Sequence, residues 1–336
     1  MSFVLFRLKF STPLHISNVR SDYSQSETII HSDTLYSAFF EAWSKLGLTQ
    51  QIEKQTHQLQ FTLSSLFPFT MDNKTKEYVY FFLKPLNLSH TKVSEKKHKD
   101  LKKIQYVDKN FLEKYRKGYR ELNDEDYNLA KGKYLTEACI DTNFMSSEVF
   151  PRVTIPRQGG DATPYYIERI FFKENSGLFF IAQFDNDDIK NHVISALYYL
   201  CDEGIGTDRH VGNGFFEFEE DTIDFKTIPS DYAFNLSLYC PSADHVKEIM
   251  NDDNIAYEII TRGGWITTPE YNTLRKKYIR MFKEASILKI KNTTDGCIVD
   301  GRIVDITPDK TTLPETAKNI HPVYRVGKSL FLTVKV

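Results

Sequence analysis

The sequence predicts an α+β fold made of two related modules in tandem, with a basic segment inserted into the first. The chain has 336 residues, and at roughly 100–200 residues per domain this length fits two domains. The predicted elements run strand, helix, strand, and this order begins a second time near residue 232. Lysine and arginine are concentrated in one stretch of a chain whose net charge is only −2.

The first module opens with a strand, a loop and a helix. Residues 3–10 alternate between two faces and are rich in aromatic residues, a pattern that predicts a half-buried strand. Residues 17–28 are polar and predict a loop. Ser32 is the expected N-cap of a helix whose apolar residues recur at helical spacing through residues 35–46, and Gly47 is expected to end it.

The next region has a different composition. Residues 92–120 carry eleven Lys and Arg against four acids, a local charge of +7. Large apolar residues are few there until Ile104. We therefore expect residues 84–148 to form a thumb-like insertion that projects from the module.

The first module closes with two strands and a helix. Residues 165–172 and 177–184 are apolar runs separated by a polar turn, which predicts a β-hairpin. Residues 187–201 carry apolar side chains at helical spacing, and Gly204 is expected to end this helix. The predicted order, β-α-insertion-β-β-α-β, is close to a ferredoxin-like (RRM-like) unit.

A second module is predicted beyond an acidic stretch at residues 221–231. We place the modules at residues 1–225 and 226–336. Residues 232–239 predict a strand, and Ser242 is expected to cap a helix that reaches Met250. Residues 256–261 predict another strand, so the β-α-β pattern recurs.

Charge, cysteines and hydropathy exclude several classes of protein. A net charge of −2 excludes a uniformly cationic nucleic-acid binder but not a local basic surface. The four cysteines lie far apart, which argues against a zinc knuckle or a disulfide framework. Arg7 and Lys9 interrupt the first apolar run, and no stretch approaches the roughly 20 apolar residues of a membrane span. We expect a cytoplasmic protein with no metal, no other cofactor and no membrane partner.

The strongest local motif is a glycine-rich stretch at residues 204–215, between a helix and an aromatic strand. Its four glycines permit positive φ and close backbone approach, and successive N–H groups in such turns can bind an anion. Arg209 and His210 add charge at its centre. The order helix, glycines, strand differs from that of nucleotide-binding loops, which run strand, glycines, helix. A long flexible connection is the alternative.

The start of the first helix is a second candidate phosphate site. Ser32, Asp33 and Thr34 lie where free N–H groups and the positive end of the helix dipole favour an anion. Simple helix capping is compatible with that role. For Asp33 we expect capping rather than catalysis.

With these motifs the chain resembles the repeat-associated mysterious protein (RAMP) superfamily of CRISPR systems. Its hallmark is a glycine-rich loop between the last helix and last strand of a ferredoxin-like module. More narrowly, the chain resembles the family of fourth subunits of type III-A (Csm) effector complexes. The other stretches that carry the resemblance are Leu14-His15-Ile16-Ser17, Ser32-Asp33-Thr34-Leu35, Phe82-Leu83-Lys84-Pro85, Lys102-Lys103-Ile104-Gln105-Tyr106, Arg262-Gly263-Gly264-Trp265 and His321-Pro322-Val323-Tyr324-Arg325-Val326-Gly327.

The resemblance implies two ferredoxin-like modules with an inserted thumb. It also implies a non-catalytic subunit that holds the 5′ handle of the CRISPR RNA (crRNA) in an antiviral complex. The expected partners are the crRNA handle, the large polymerase and nuclease subunit, and the backbone RAMP subunits, with target RNA met indirectly. Cleavage of RNA and DNA and synthesis of cyclic oligoadenylate would belong to the other subunits.

Single-stranded RNA is commonly held by phosphate contacts and by stacking on aromatic or arginine side chains. The residues expected to bind RNA are Ser32, Thr34, Arg152, Arg157, Gly204, Gly206, Thr207, Arg209, His210, Gly212, Gly214 and Phe215. Lys96, Lys97, Lys102 and Lys103 are expected to contact RNA or a protein partner, with a solvated surface as the alternative.

Two other functions stay open from the sequence. His15 and His31 could be the acid and base of a metal-independent endoribonuclease that processes CRISPR repeat RNA, because histidine titrates near neutral pH. A structural adaptor that contacts only protein is the other. A smaller basic patch at residues 275–280 is expected to be solvated surface rather than a functional site. Trp265 could anchor an interface or belong to the core.

Overall fold

The fold was analysed on a computed structural model, which describes residues 1–17, 22–89, 95–156, 159–290, 297–309, 311 and 313–336. The α-helices in these ranges are α1 (Ser32–Lys45), α2 (Thr49–His57), α3 (Glu95–Lys102), α4 (Lys109–Arg116), α5 (Asp124–Tyr127), α6 (Asp187–Glu203) and α7 (Ala243–Met250).

Strands occur throughout the chain, so the α+β prediction is confirmed. Up to residue 224 they are β1 (Ser2–Phe10), β2 (Phe61–Leu63), β3 (Phe67–Met71), β4 (Tyr78–Leu83), β5 (Tyr106–Asp108), β6 (Ala130–Lys131), β7 (Tyr134–Leu135), β8 (Met145–Thr154), β9 (Thr163–Phe172), β10 (Gly177–Phe184) and β11 (Phe216–Asp224). The later strands are β12 (Tyr232–Asn235), β13 (Ile259–Arg262), β14 (Ile279–Phe282), β15 (Ile287–Lys289), β16 (Cys297–Asp300), β17 (Ile303–Asp305), β18 (Tyr324–Val326) and β19 (Ser329–Thr333).

The largest sheet has the order β11-β1-β10-β3-β4-β5-β7-β6, with β2 paired to β10 beside β3. Strand β1 lies antiparallel between β11 and β10. On its other edge, β10 pairs antiparallel with β2 and with β3, one after the other along its length. Helix α1 follows β1, and α6, which packs against α1, joins β10 to β11. The predicted helices are confirmed, including the glycine that follows each one: Gly47 has φ 77° and Gly204 has φ 79°.

The predicted hairpin of residues 165–172 with 177–184 is wrong. Strand β9 pairs instead with β8 along ten residues, from Met145 opposite Phe172 to Thr154 opposite Thr163. Strand β10 lies inside the large sheet, with β1 along one edge and both β2 and β3 along the other. The physical reason is burial: residues 177–182 are buried on both faces, whereas the first half of β9 is exposed.

The basic segment does not project from the module in its described part. Strand β5 extends the large sheet beside β4, and Tyr106, Phe111 and Tyr115 belong to the core. Arg116 is fully buried and donates hydrogen bonds to the carbonyl oxygens of Thr333 and Lys226. The aromatic residues interleaved with the lysines therefore pack this segment inward, while the lysines remain at its surface.

The C-terminal part differs from a simple repeat of the first module. Its sheet has the order β15-β12-β19-β16, and two further strand pairs, β13–β14 and β17–β18, lie outside it. Helix α7 is capped by Ser242, whose hydroxyl accepts a bond from His245 N at 3.3 Å, as predicted. Strand β13 pairs with β14 rather than with β12, so the second β-α-β is not one continuous sheet.

The two parts share one core. Phe234, Leu236 and Leu330 pack in the same cluster as Leu5 and Phe82. The boundary at residues 225 and 226 stays a prediction. In the ranges that the structure describes, no helix is long and apolar enough to cross a membrane.

Candidate nucleic-acid interface

The glycine-rich loop has the backbone that its sequence predicts. Gly204, Gly206, Gly212 and Gly214 have φ of 79°, 106°, 85° and 78°. These are left-handed conformations that side chains other than glycine adopt at a cost. Between them, Arg209–Val211 form a single 3₁₀ turn.

Close contact with the chain itself explains three of these glycines. A Cβ at Gly204 would lie 2.7 Å from the carbonyl oxygen of Asn213. A Cβ at Gly206 would lie 2.6 Å from the carbonyl oxygen of His15, and one at Gly214 would lie 1.9 Å from that of Ile205. A Cβ at Gly212 would meet nothing within 4 Å. Three glycines thus allow close backbone contacts at the loop, and Gly212 faces open space.

Several loop amides are already bonded within the protein. The amides of Thr207 and Gly214 donate to the carbonyl oxygens of His15 and Pro13, at 2.9 and 2.8 Å. The amide of Phe215 donates to Thr12 Oγ1 at 2.9 Å, and Phe215 is half-buried. Within the arch at residues 206–212, the amides of Val211 and Gly212 also donate to carbonyl oxygens of the loop, those of Asp208 and Arg209, at 3.3 and 3.0 Å. An anion at the arch would therefore have to be bound by its other amides or by side chains. Binding of RNA there stays a prediction.

The charged side chains of the loop are paired with its neighbours. Arg209 Nη2 lies 2.6 Å from Glu41 Oε1 on α1. Asp208 accepts from Arg169 Nη2 at 2.7 Å and from Asn213 Nδ2 at 2.8 Å. Arg169 belongs to β9, so this ion pair joins the loop to the base of the β8–β9 strand pair.

Two other loop residues have simpler surroundings. Thr207 Oγ1 accepts from the amide of Ser17 at 3.1 Å, which again joins the loop to the segment after β1. His210 is exposed.

The β8–β9 strand pair stands outside the large sheet and carries Arg152. Two of its large apolar or aromatic side chains are exposed to solvent: Val149 is 53% exposed and Tyr166 is 58% exposed. Arg152 lies opposite Tyr165, whose ring is 5.9 Å from that of Tyr23. This pair, rather than the basic segment, is the projecting element beside the glycine loop. Arg157 lies outside the described residues.

The start of α1 is not capped as predicted. His31 occupies the N-cap position without a side-chain cap. The Ser32 hydroxyl instead accepts from the amide of Leu238 at 3.0 Å, and Ser32 is fully buried. The helix start therefore faces the C-terminal part of the chain, and the capping role expected of Ser32 is wrong.

Asp33 is the centre of a buried ion cluster. It accepts from Arg262 at 2.9 and 3.1 Å and from Arg325 at 2.8 Å. Burial would raise the pKa of Asp33, but the two guanidinium groups outweigh it and hold that pKa well below its usual range. Thr34 Oγ1 accepts from Arg262 Nη2 at 2.9 Å. The expected capping role of Asp33 is therefore replaced by ion pairing.

A third cation approaches this cluster. Burial, reinforced by the charge of Arg325, lowers the pKa of Lys276 to about 8, and Asp33 and Glu41 are the carboxylates that oppose this shift. Sequence reasoning gave Lys276 and Arg325 no role, although both lie in quoted stretches.

The two candidate catalytic histidines are buried in different surroundings. His15 Nδ1 lies 2.7 Å from the carbonyl oxygen of Glu168. His31 lies 2.9 Å from Glu284 and 3.0 Å from Glu27. Burial would lower the pKa of His31, but these two carboxylates raise it to about 10. A histidine held as a cation in this way is a poor general base at neutral pH.

The remaining candidates lie elsewhere. Lys102 and Lys103 are exposed, and Lys103 pairs with Asp100 at 2.8 Å. Lys96 and Lys97 lie on α3, and their side chains are outside the described part. Within the described ranges, no three His, Cys, Asp or Glu side chains are grouped as metal ligands would be.

Comparison with known families agrees with the predicted resemblance. The RAMP superfamily model matches residues 7–217, and the model of the CRISPR Csm4 C-terminal domain matches residues 229–334. Two relatives, each named CRISPR system Cms protein Csm4, come from Methanocaldococcus jannaschii and Streptococcus thermophilus. The first is 25% identical over 396 aligned positions, covering 99% of this chain and 97% of the relative. The second is 24% identical over 331 positions, covering 93% of each.

Solved structures show the same fold. A chain of a Csm3–Csm4 subcomplex in the type III-A CRISPR-Cas interference complex aligns over all of both chains, with a TM-score of 0.58 and 22% identity. A chain of a Csm1–Csm4 cassette in complex with pppApA aligns with a TM-score of 0.59 and 19% identity, covering 100% of this chain and 99% of that one.

Proposed function

Because this chain belongs to the RAMP superfamily, we propose that it is the non-catalytic subunit of a type III-A CRISPR effector complex that holds the 5′ handle of the crRNA. Its relatives are named Csm4, which supports the choice of subunit. The antiparallel order β11, β1, β10 and β2–β3, with α1 and α6 as connections, would be the ferredoxin-like module. Cleavage and cyclase activity would reside in other subunits.

One observation carries the proposal: the glycine-rich loop is docked so that cations from several elements surround it. Arg209 belongs to the loop itself, and Arg169 joins the loop to β9. Lys276 lies near Glu41, the partner of Arg209. Cations around a loop with open space at Gly212 suit the phosphates of a single strand.

The proposed partners follow from the named complexes of its relatives. Solved structures pair Csm4 chains with Csm1 and with Csm3. We expect this chain to dock against the corresponding large subunit and against a backbone RAMP subunit. Target RNA would be met only through the guide that these subunits hold.

The first test is the affinity of the full chain, or of the reconstituted complex, for handle RNA across a salt series. Arg209→Ala should weaken binding and reduce the slope of log affinity against log salt by about 0.7, the value for one phosphate of a single strand. Glu41→Gln frees Arg209 from its carboxylate and should strengthen binding. Lys190→Ala is the matched control, because Lys190 pairs with Glu220 at 2.6 Å on a different surface. Equal affinities for all four proteins would refute an RNA site at this loop.

The second test separates the arch from the docked part of the loop. Gly212→Val places a side chain in open space, whereas Gly214→Val would drive one into the backbone of Ile205. Both need positive φ, so thermal unfolding must first show that each variant folds. Gly212→Val should reduce handle affinity in a folded protein. Wild-type affinity of this folded variant would mean that the arch does not contact RNA.

A further inference from the structure

The strand pair β13–β14 carries a basic and aromatic surface that the proposed handle site does not use. From residue 271 to residue 283 the chain has five cations and no acid. Tyr278 is 74% exposed, and Arg280, opposite Thr261, is exposed as well. This surface belongs to the C-terminal part, whereas the glycine-rich loop belongs to the first module.

Two aromatic side chains are presented there beside cations. The guanidinium carbon of Arg275 lies 4.8 Å from the centroid of the Trp265 ring, a cation–π contact. Tyr278 lies beside Gly263, whose added Cβ would be 3.3 Å from the Tyr278 Cβ. Gly264 has φ 106° and open space where a side chain would be. Residues 263 and 264 therefore place no side chain between Trp265 and the position beside Tyr278.

The charges of this surface are only partly compensated. Asp309 lies near Lys277, and Glu258 pairs with Lys283 at 3.1 Å. Lys276 lies near the carboxylates of Asp33 and Glu41 and near the cations of Arg262 and Arg325. Cations therefore outnumber acids along the whole hairpin.

We propose that Tyr278 and the Trp265–Arg275 pair form a stacking platform for single-stranded RNA, with Lys277 and Arg280 contacting its phosphates. This inference rests on the proposed function and extends it, because it gives the C-terminal part its own contact with the strand. Every base has a π face, so a platform of this kind tolerates any sequence. Helix α1 lies between the two surfaces: its Asp33 pairs with Arg262 beside the platform, and its Glu41 pairs with Arg209 of the glycine-rich loop.

The chemistry favours RNA over a protein partner at this surface. Lysine is depleted in the centres of protein interfaces, whereas phosphate sites use it freely as a point charge. An exposed tyrosine flanked by lysines and arginines fits a strand that carries a phosphate at every base. Duplex RNA would not fit, because its bases are stacked on each other and cannot reach the rings.

The experiment uses the full chain, with polyuridine RNA as the single-stranded probe and a polyuridine–polyadenosine duplex as the comparison. Tyr278→Ala should weaken binding of the single strand by roughly 5- to 100-fold, the range for one lost stack, and Tyr278→Phe should retain it because the ring remains. Tyr198→Ala is the matched control: Tyr198 is 65% exposed but lies on α6. Both tyrosines are at the surface, so these variants should fold.

Tryptophan fluorescence supplies a direct second readout. The chain has two tryptophans, and Trp43 is fully buried with its indole N–H bonded to the carbonyl oxygen of His192 at 2.8 Å. Quenching by polyuridine should therefore report Trp265 alone, and Trp265→Phe should abolish it. Arg280→Ala should reduce the salt slope by about 0.7.

The outcomes separate this inference from the proposed function. If Arg209→Ala weakens binding but Tyr278→Ala behaves like Tyr198→Ala and RNA leaves Trp265 unquenched, the platform is refuted and the proposed function stands. If neither variant changes RNA binding, both fail. If Tyr278→Ala instead weakens assembly with the large subunit at unchanged RNA affinity, the surface is a protein interface and the platform is refuted. Where the isolated chain binds too weakly, the same variants are compared by crosslinking within the assembled complex.

Discussion

Two charged regions of this chain behave in opposite ways. Residues 92–120 are the most conspicuous charged stretch in the sequence, with a local charge of +7, yet the lysines whose burial is described there are exposed, except for the half-buried Lys109. Asp33, Arg262 and Arg325 are inconspicuous single charges, and Asp33 and Arg325 are 292 residues apart. They nevertheless meet in a buried cluster that joins the two parts of the molecule.

The difference shows that the density of charge along a chain says little about the energy of those charges. An exposed ion pair contributes little, because water already solvates both partners. A buried pair is different, because removing one partner leaves the other without water or a counter-charge. The comparison therefore predicts large effects at Asp33 and small ones at the surface lysines.

The largest expected effect is that of Asp33→Ala. It leaves two buried guanidinium groups without their carboxylate and should lower the free energy of unfolding by about 3–5 kcal/mol. Urea denaturation of the full chain measures it. Asp141→Ala is the control, since Asp141 is an exposed carboxylate paired with Lys173 at 2.6 Å. Equal urea midpoints for the two variants would contradict the comparison.

Arg116→Ala sharpens the comparison, because Arg116 lies within the basic segment but is fully buried. The change removes an ion pair with Glu113 at 2.7 Å and two buried hydrogen bonds, to the carbonyl oxygens of Thr333 and Lys226. We expect a loss of about 2–4 kcal/mol in the free energy of unfolding. Arg116→Lys should recover little of it, since one ammonium cannot reproduce the three directions of the guanidinium group. A wild-type urea midpoint for Arg116→Ala would show that the segment is not packed as described.

The His31–Glu284 pair predicts a dependence of stability on pH. The pKa of His31 is raised to about 10 in the folded chain, against roughly 6.5 when unfolded. Its contribution is therefore complete below pH 6.5 and is lost as the pH rises towards 10. Lys276 has the opposite effect above pH 8. Its pKa is lowered to about 8 in the folded chain, so it loses its proton there before it does in the unfolded chain, and its contribution to stability rises with pH.

Between pH 6.5 and 8, the effect of His31 on stability should thus be separable from that of Lys276. The free energy of unfolding should fall in the wild type by up to about 1.4 kcal/mol per pH unit relative to His31→Gln. Urea denaturation at several pH values in this window measures the difference. Parallel pH profiles for the two proteins would mean that His31 is not held as a cation.

The smallest expected effect on folding is that of replacing Lys99, Lys102 and Lys103 together by Ala. All three are exposed, so the urea midpoint should not move measurably. If the segment contacts RNA or a partner subunit, complex assembly or RNA retention should weaken, and more so at higher salt. Loss of folding in this variant would place these lysines in the packed structure.

Much of the local structure could be predicted from the sequence. Helix α6, its glycine stop and the positive φ of the four loop glycines follow from residue type and spacing alone. The Ser242 cap of α7 was found in the same way. The hairpin was not, because residues 165–172 can pair with either flanking strand, and burial of residues 177–182 decided between them.

The sequence predicted that the glycine-rich loop binds an anion through its backbone amides. In the structure, some of its glycines instead allow close contacts within the chain. The strain at Gly206 and Gly214 serves the contact with His15 and Ile205, which no local pattern reveals. Arg209 was predicted to supply charge to the loop, which stays a prediction, and Glu41, its ion-pair partner, was not anticipated. That pair forms only because α1 and α6 pack together.

By itself the sequence determined the elements that depend on neighbours within a few residues: the alternation of β1, the C-terminal ends of α1 and α6, and the turns that need glycine. It also determined the family, through short motifs spread along the chain. The tertiary structure decided which strands pair, which charges lose their water and where Asp33, Arg262 and Arg325 meet. The physical reason is that helix periodicity and glycine conformation are set by local sterics and hydrogen bonds. The pairing of a charge depends instead on which surfaces the whole core brings together.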